Sequence, residues 1–169
     1  MKIHTIDLKF QGLTENIAAF LVETSAGPIL VETGPHSTLP QLNAGIEAAG
    51  FAPTDIQHVF ITHIHLDHAG AAWWFAQNGA TVYVHPRGSK HLASPERLME
   101  SARRIYQDQM DSLWGQMNPI PAAQVREVAH EEAIELGDTT VHAHYTPGHA
   151  VHHIAWQIGE VVFTGDVAG

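Results

Sequence analysis

Residues Thr62-His63-Ile64-His65-Leu66-Asp67-His68-Ala69-Gly70 place four potential metal ligands within six positions. The run Ile56 to Thr62 before them is short and apolar and predicts a buried strand, and Ala69 to Gln77 after them predicts a helix that Asn78-Gly79 terminates. Ligands at such a strand-to-helix junction stand where open α/β folds put their sites. A locally extended backbone points His63 and His65 the same way, while Asp67 and His68 start the turn into the helix and can face a second ion. With 14 histidines and seven aspartates among 169 residues, H-x-H-x-D-H arises by chance with a probability of ~0.004, so a solvated polar loop is the weaker reading.

Outward from this junction the chain alternates strands and helices. Ile17 to Val22 and Pro28 to Glu32 read as strands around a Ser25-Ala26-Gly27 turn, followed by a helix from Leu39 to Ala49 that stops at Gly50. Thr81 to His85 is a further strand. Ser94-Pro95-Glu96 opens a helix expected to reach about Gly115, with Leu98, Ala102, Ile105, Leu113 and Trp114 on its apolar face. After a loop from Met117 to Pro121, strands are expected over Val125 to Val128, Thr139 to Tyr145, Ile154 to Ile158 and Val161 to Thr164. This is the pattern of an α/β domain with a layered sheet, and 169 residues suit one such core.

Eighteen acidic against eight basic residues give a formal charge of −10, which opposes docking on nucleic acid or anionic lipid and leaves a small molecule as the expected partner. The basic pair Arg103-Arg104 is flanked by Glu100 and Asp108 at helical spacing and reads as a solvated face. No cysteine is present, so His, Asp and Glu form the metal-binding vocabulary. Met1 to Phe10 lacks the apolar run of a signal peptide and no stretch reaches membrane-spanning length, which makes a cytoplasmic location the expectation.

Thr62, His63, His65, Asp67, His68 and Gly70 match the T-H-x-H-x-D-H-x-G signature of the metallo-β-lactamase superfamily. Leu30-Val31-Glu32-Thr33-Gly34 resembles its early strand-and-turn motif, Thr146-Pro147-Gly148-His149 its third histidine motif, and Phe163-Thr164-Gly165-Asp166 its bridging carboxylate. The resemblance implies an αββα sandwich in which His63, His65 and His149 hold one metal, Asp67 and His68 contribute to a second, and Asp166 bridges both. It implies two divalent ions, zinc first with iron or manganese as alternatives. A metal-bridging hydroxide would then cleave an ester, thioester, lactone, lactam or phosphodiester bond, with Asp67 as the catalytic proton carrier. Two other readings stand beside it: a mononuclear iron oxidoreductase resembling persulfide dioxygenases, and a non-catalytic metal-binding fragment of a larger hydrolase.

The family normally has aspartate where this chain has Glu32, which is expected to tune the support of the metal loop. Its last histidine ligand lies beyond the bridging aspartate, on a segment absent here, so residues 1–169 are expected to form a single domain incomplete at its C-terminus. A homodimer or a C-terminal fragment would complete such a fold. By the same resemblance His153 takes a structural or supporting role and the turn at His36 approaches the site. His152 is expected at the surface, and His142 and His144 share a strand face without ligand spacing. Met99, Tyr106, Met110, Trp114 and Met117 read equally as ordinary core or as the wall of an apolar substrate pocket.

Overall fold

Side chains alternate along the central strands and divide between two cores. Leu21, Leu30, Val59 and Val82 face one cluster with the helices, while Val22, Val31, Phe60 and Tyr83 face a second cluster with Val141, Ile154 and Trp156. The computed structural model, in which residues 1–167 are described, therefore stacks a helical layer, a six-stranded sheet and a four-stranded sheet. The larger sheet runs β1 (Lys2–Asp7), β2 (Ala18–Thr24), β3 (Gly27–Val31), β4 (His58–Phe60), β5 (Thr81–Val84), β6 (Val125–Glu127) in that spatial order. Its first two pairings are antiparallel and the rest parallel.

The smaller sheet is antiparallel, in the order β10 (Val161–Phe163), β9 (Ile154–Ile158), β8 (Thr139–Tyr145), β7 (Ala133–Leu136). Its strand β7 is four residues long with an exposed-buried alternation, too short to stand out in the sequence. Helix α1 (Leu39–Ala48) packs Leu42 and Ile46 into the helical-side core.

Two expected helices are broken, each for a local reason. The one expected over residues 69–77 divides into α2 (Leu66–Ala69) and α3 (Ala72–Gln77), because the Ala71 N–H leaves the helical ladder to bond the Gly34 carbonyl at 3.0 Å. The one expected from Ser94 to Gly115 is α5 (Glu96–Tyr106) and a short α6 (Met110–Leu113), separated where Gln107 takes φ 49°. An unforeseen α4 (Pro86–Ala93) precedes them, capped by His85, whose Nδ1 accepts from the Arg87 N–H at 3.0 Å. Ile105, expected on the buried face, is 71% exposed. On the solvent side Arg104 pairs with Glu100, as the charge pattern indicated, while Arg103 pairs with Asp111 and not with the expected Asp108. Among the described residues no helix is long and apolar enough to cross a membrane.

The strand ends of both sheets converge on one edge of the sandwich. The ends of β3 and β4 supply Glu32 and Thr62–His63, the β8–β9 loop supplies His149, and the end of β10 supplies Asp166. A backbone bond from Ile154 N–H to the Thr62 carbonyl, 2.8 Å, ties the two sheets together beside the site.

Candidate metal centre

His63 leaves β4 fully buried, and its Nδ1 lies 3.0 Å from Thr62 Oγ1. A proton on Nδ1 donated to that hydroxyl leaves the Nε2 lone pair free to face the cavity. There Nε2 stands 3.0 Å from His65 Nδ1, which is itself 3.0 Å from His149 Nε2. Burial, reinforced by the neighbouring histidines, holds the His63 pKa far below the usual imidazole value, so it carries no charge. His65 is also lowered, by burial first. With the His63 proton on Nδ1, three ring nitrogens converge on one point, where a central cation can accept a lone pair from each. Ligand atoms about 2.0–2.1 Å from a tetrahedral zinc stand roughly 3.3 Å apart, close to the spacing found. The three residues fit an ion.

The second set is His68 with two carboxylates. His68 Nε2 lies 3.4 Å from Asp67 Oδ2 and 3.3 Å from Asp166 Oδ1, and its Nδ1 lies 3.3 Å from Glu32 Oε2. Burial alone would lower the His68 pKa, but the close negative charges of Glu32 and Asp67 outweigh it and hold the pKa up, at about 11. Without a metal His68 is thus a cation among carboxylates, and its charge draws the Asp67 pKa down against desolvation.

Asp166 joins the two sets. While Oδ1 faces His68, Oδ2 lies 3.4 Å from His149 Nε2 and 3.9 Å from His63 Nε2. Among the described residues two groups have donor atoms close enough to share an ion: His63, His65 and His149, and His63, His68 and Asp166. All six expected site residues therefore meet at one place, with Asp67 at the mouth, its side chain 38% exposed.

Backbone and supporting residues fix this arrangement. Glu32 is buried at φ 66°; its Oε1 accepts from the Thr62 N–H at 3.1 Å, while Oε2 contacts His68 without hydrogen-bond alignment. The longer side chain thus spans the metal loop and the second set together. His153 is buried as a brace: its Nε2 accepts from the Asp166 N–H at 3.2 Å, which places its proton on Nδ1, 2.7 Å from Thr146 Oγ1. Gly165 sits at φ 50°, and a Cβ there would come within 2.6 Å of Thr62 Oγ1 and 2.7 Å of His153 Nε2. Gly70 is needed for close approach, since a Cβ would press on the Leu66 carbonyl and the Pro35 backbone.

Other histidines sort as follows. His152, expected at the surface, is half-buried with its ring 5.9 Å from that of His65, and burial pulls its pKa down to about 4. Helix α4 covers it: a Cβ at Gly88 would lie 3.8 Å from His152 Cβ. His36 packs on Trp73 and accepts from the Gln116 N–H, outside both ligand groups. His144 bridges Glu131 and Gln157 on the outer sheet face, as a non-ligand. Of the soft apolar series, Met110 and Met117 are core, whereas Tyr106 and Trp114 line a pocket with His65 and Asp67.

Fold and donor set define the class, a layered α/β protein with a histidine and aspartate site suited to divalent ions. The chain belongs to the metallo-beta-lactamase superfamily, whose family pattern matches residues 14–169. It is 33% identical over 135 residues to the metallo-beta-lactamase fold-containing protein ST1585 of Sulfurisphaera tokodaii, which covers 76% of this chain and 52% of that protein. The chain thus spans about half the length of the curated relative it matches. The crystal structure of ST1585, an archaeal member of the superfamily, superposes with a TM-score of 0.78 at 26% identity, covering 99% of this chain and 64% of that one. The metallo-beta-lactamase SMB-1 gives a TM-score of 0.70 at 29% identity, over 95% of this chain and 60% of that one. MEM-A1, a subclass B3 metallo-beta-lactamase from a soil metagenome library, gives 0.68 at 28% identity, over 92% and 54%.

Proposed function

We propose that the protein is a dinuclear metal-dependent hydrolase acting on an acyl bond of a small molecule, an ester, thioester, lactone or lactam. The observation that carries this reading is Asp166, whose two oxygens face the two donor sets. A single-metal oxidoreductase would leave the second set without a role. A phosphodiester is the less favoured substrate, because the chain carries −10 and the site mouth adds Asp67. The likeness to metallo-beta-lactamases supports a lactam as one member of the substrate class.

His63, His65 and His149 would hold one ion, His68, Asp67 and Asp166 the other, with zinc the best match to imidazole and carboxylate donors. Bound divalent ions supply Lewis acidity and acidify water, so that hydrolysis runs at neutral pH without a serine or cysteine nucleophile. Glu32 orients the loop that carries four of the donors, and His153 holds the Asp166 backbone. Asp67, ionised and half-open to solvent, is placed to take a proton and pass it to the leaving group. Assay of a panel of neutral esters, lactones and β-lactams with zinc-loaded protein tests the reading. Metal-dependent turnover is expected, and its absence across the panel would overturn it.

Metal uptake at the two sets should depend on pH differently. His63 and His65, with lowered pKa values, give up no proton at pH 7, whereas His68, protonated up to about 11, must release one. The sign follows: affinity at the His68 set rises as pH rises, about tenfold per unit between pH 6 and 9, whereas His63 and His65 add no such slope there. Competition titration with a chromophoric chelator reads both slopes. In the metal-free protein the same raised pKa gives stability that is complete below the unfolded value near 6.5 and is lost as pH rises toward 11.

Glu32→Gln removes the charge beside His68 and keeps a carbonyl oxygen for the Thr62 N–H. It is expected to weaken zinc binding about 10–100-fold. Isothermal titration checks this, and unchanged affinity would mean that the His68 contact has no effect on the metal loop.

A further inference from the structure

We infer that the substrate of this site carries a neutral, unbranched aliphatic chain, seated along α5. This deepens the proposed hydrolase and rests on it for the location of the reacting bond. Beside the metal centre lies a pocket of about 290 Å³ bounded by His65 and Asp67 at one end and by α5 and Trp114 beyond. Its floor is Leu98, Ser101, Ala102, Ile105 and Tyr106, positions i, i+3, i+4, i+7 and i+8 of one helix. Eight residues of helix rise about 12 Å, so the pocket is an elongated trough, a better match to a chain than to a single ring.

Its chemistry is equally one-sided. No lysine or arginine lines it, and its one charged residue is Asp67 at the metal end. A tail with its own carboxylate or phosphate would meet repulsion and no partner, whereas methylenes leave water against Leu98, Ile105 and the two aromatic walls. Tyr106 and Trp114 hold each other edge-to-face at 5.1 Å, and Phe10 stacks on Trp114 at 5.4 Å, so the wall is braced. Ile105 is one of the most exposed large apolar side chains, 71% open, and stands in a pocket continuous with the catalytic mouth rather than on an isolated surface. A chain entering from its ester or lactone carbonyl at the metals would cover it.

The test pairs selectivity with binding. For p-nitrophenyl esters from acetate to decanoate, kcat/KM of the zinc-loaded protein should climb about three- to fourfold per methylene and level off once the chain outgrows the trough. Independently of turnover, 1-octanol should change the tryptophan fluorescence of the protein, and Trp114→Phe should remove that change. Ser101→Trp fills the trough and Ile105→Asp charges it, both at exposed positions where folding is undisturbed. Each should lower the octanoate-to-acetate ratio by at least about tenfold.

Octanol binding without hydrolysis of any ester would leave the chain site standing and remove the hydrolase reading. Hydrolysis that ignores chain length, with no response to octanol, would overturn the chain site and leave the hydrolase. A shift in sedimentation coefficient for Ser101→Trp and Ile105→Asp, with ester selectivity unaltered, would mean that a second copy of the chain covers α5, and would also overturn the inference.

Discussion

Asp166→Ala is expected to lose turnover to the level of the metal-free protein and to lose bound metal with it. Its carboxylate faces both donor sets at 3.3 to 3.9 Å, so one substitution takes an oxygen from each. The cost should exceed the roughly 10–100-fold that removing a mere supporting residue produces. Folding is not the confounder, because the side chain is 36% exposed and only its backbone N–H bonds His153. Plasma mass spectrometry on the dialysed variant, run beside kcat/KM on the preferred ester, reads both quantities. A variant that keeps its metal and most of its rate would remove Asp166 from the centre.

Asp67→Asn should separate chemistry from binding. The amide keeps an oxygen near His68 Nε2, 3.4 Å away for the carboxylate, yet it cannot carry a proton at neutral pH. A positioned proton carrier contributes about 10²–10⁴-fold, and a fall of that size in kcat with KM nearly unchanged is the expected result. A slow step relieved by leaving groups of lower pKa would place the lost proton on the leaving atom. If instead metal content falls in parallel with rate, Asp67 acts through ligation alone.

The site was legible in the sequence because its ligands are local. Four donors sit in Thr62–Gly70, and the resemblance to the metallo-β-lactamase motifs picked out His149 and Asp166, each of which follows a turn after a strand. The α/β alternation was legible as short apolar runs between helical stretches, because strands buried on both faces read as continuous hydrophobic segments, while the two-sheet sandwich followed from the resemblance. What escaped depended on contacts remote in sequence. His152 looked exposed because nothing near residue 152 indicates that α4 lies over it. The helix of residues 96–106 carried a clear start signal, but its stop at Gln107 is a positive-φ backbone turn on a residue that advertises none. Ile105 fell on the apolar face by spacing and is open by geometry. Glu32 was read as a departure, and its role came from β3 ending against Thr62 and His68, a contact 30 residues apart in the chain.

The central claim is that these six side chains hold divalent metal. Its most direct test is plasma mass spectrometry of the protein after equilibration with zinc and removal of free ion. About two ions per chain, falling in Asp166→Ala, is the predicted result for two donor sets joined by one carboxylate. A protein that retains no ion under these conditions would contradict the account at its root.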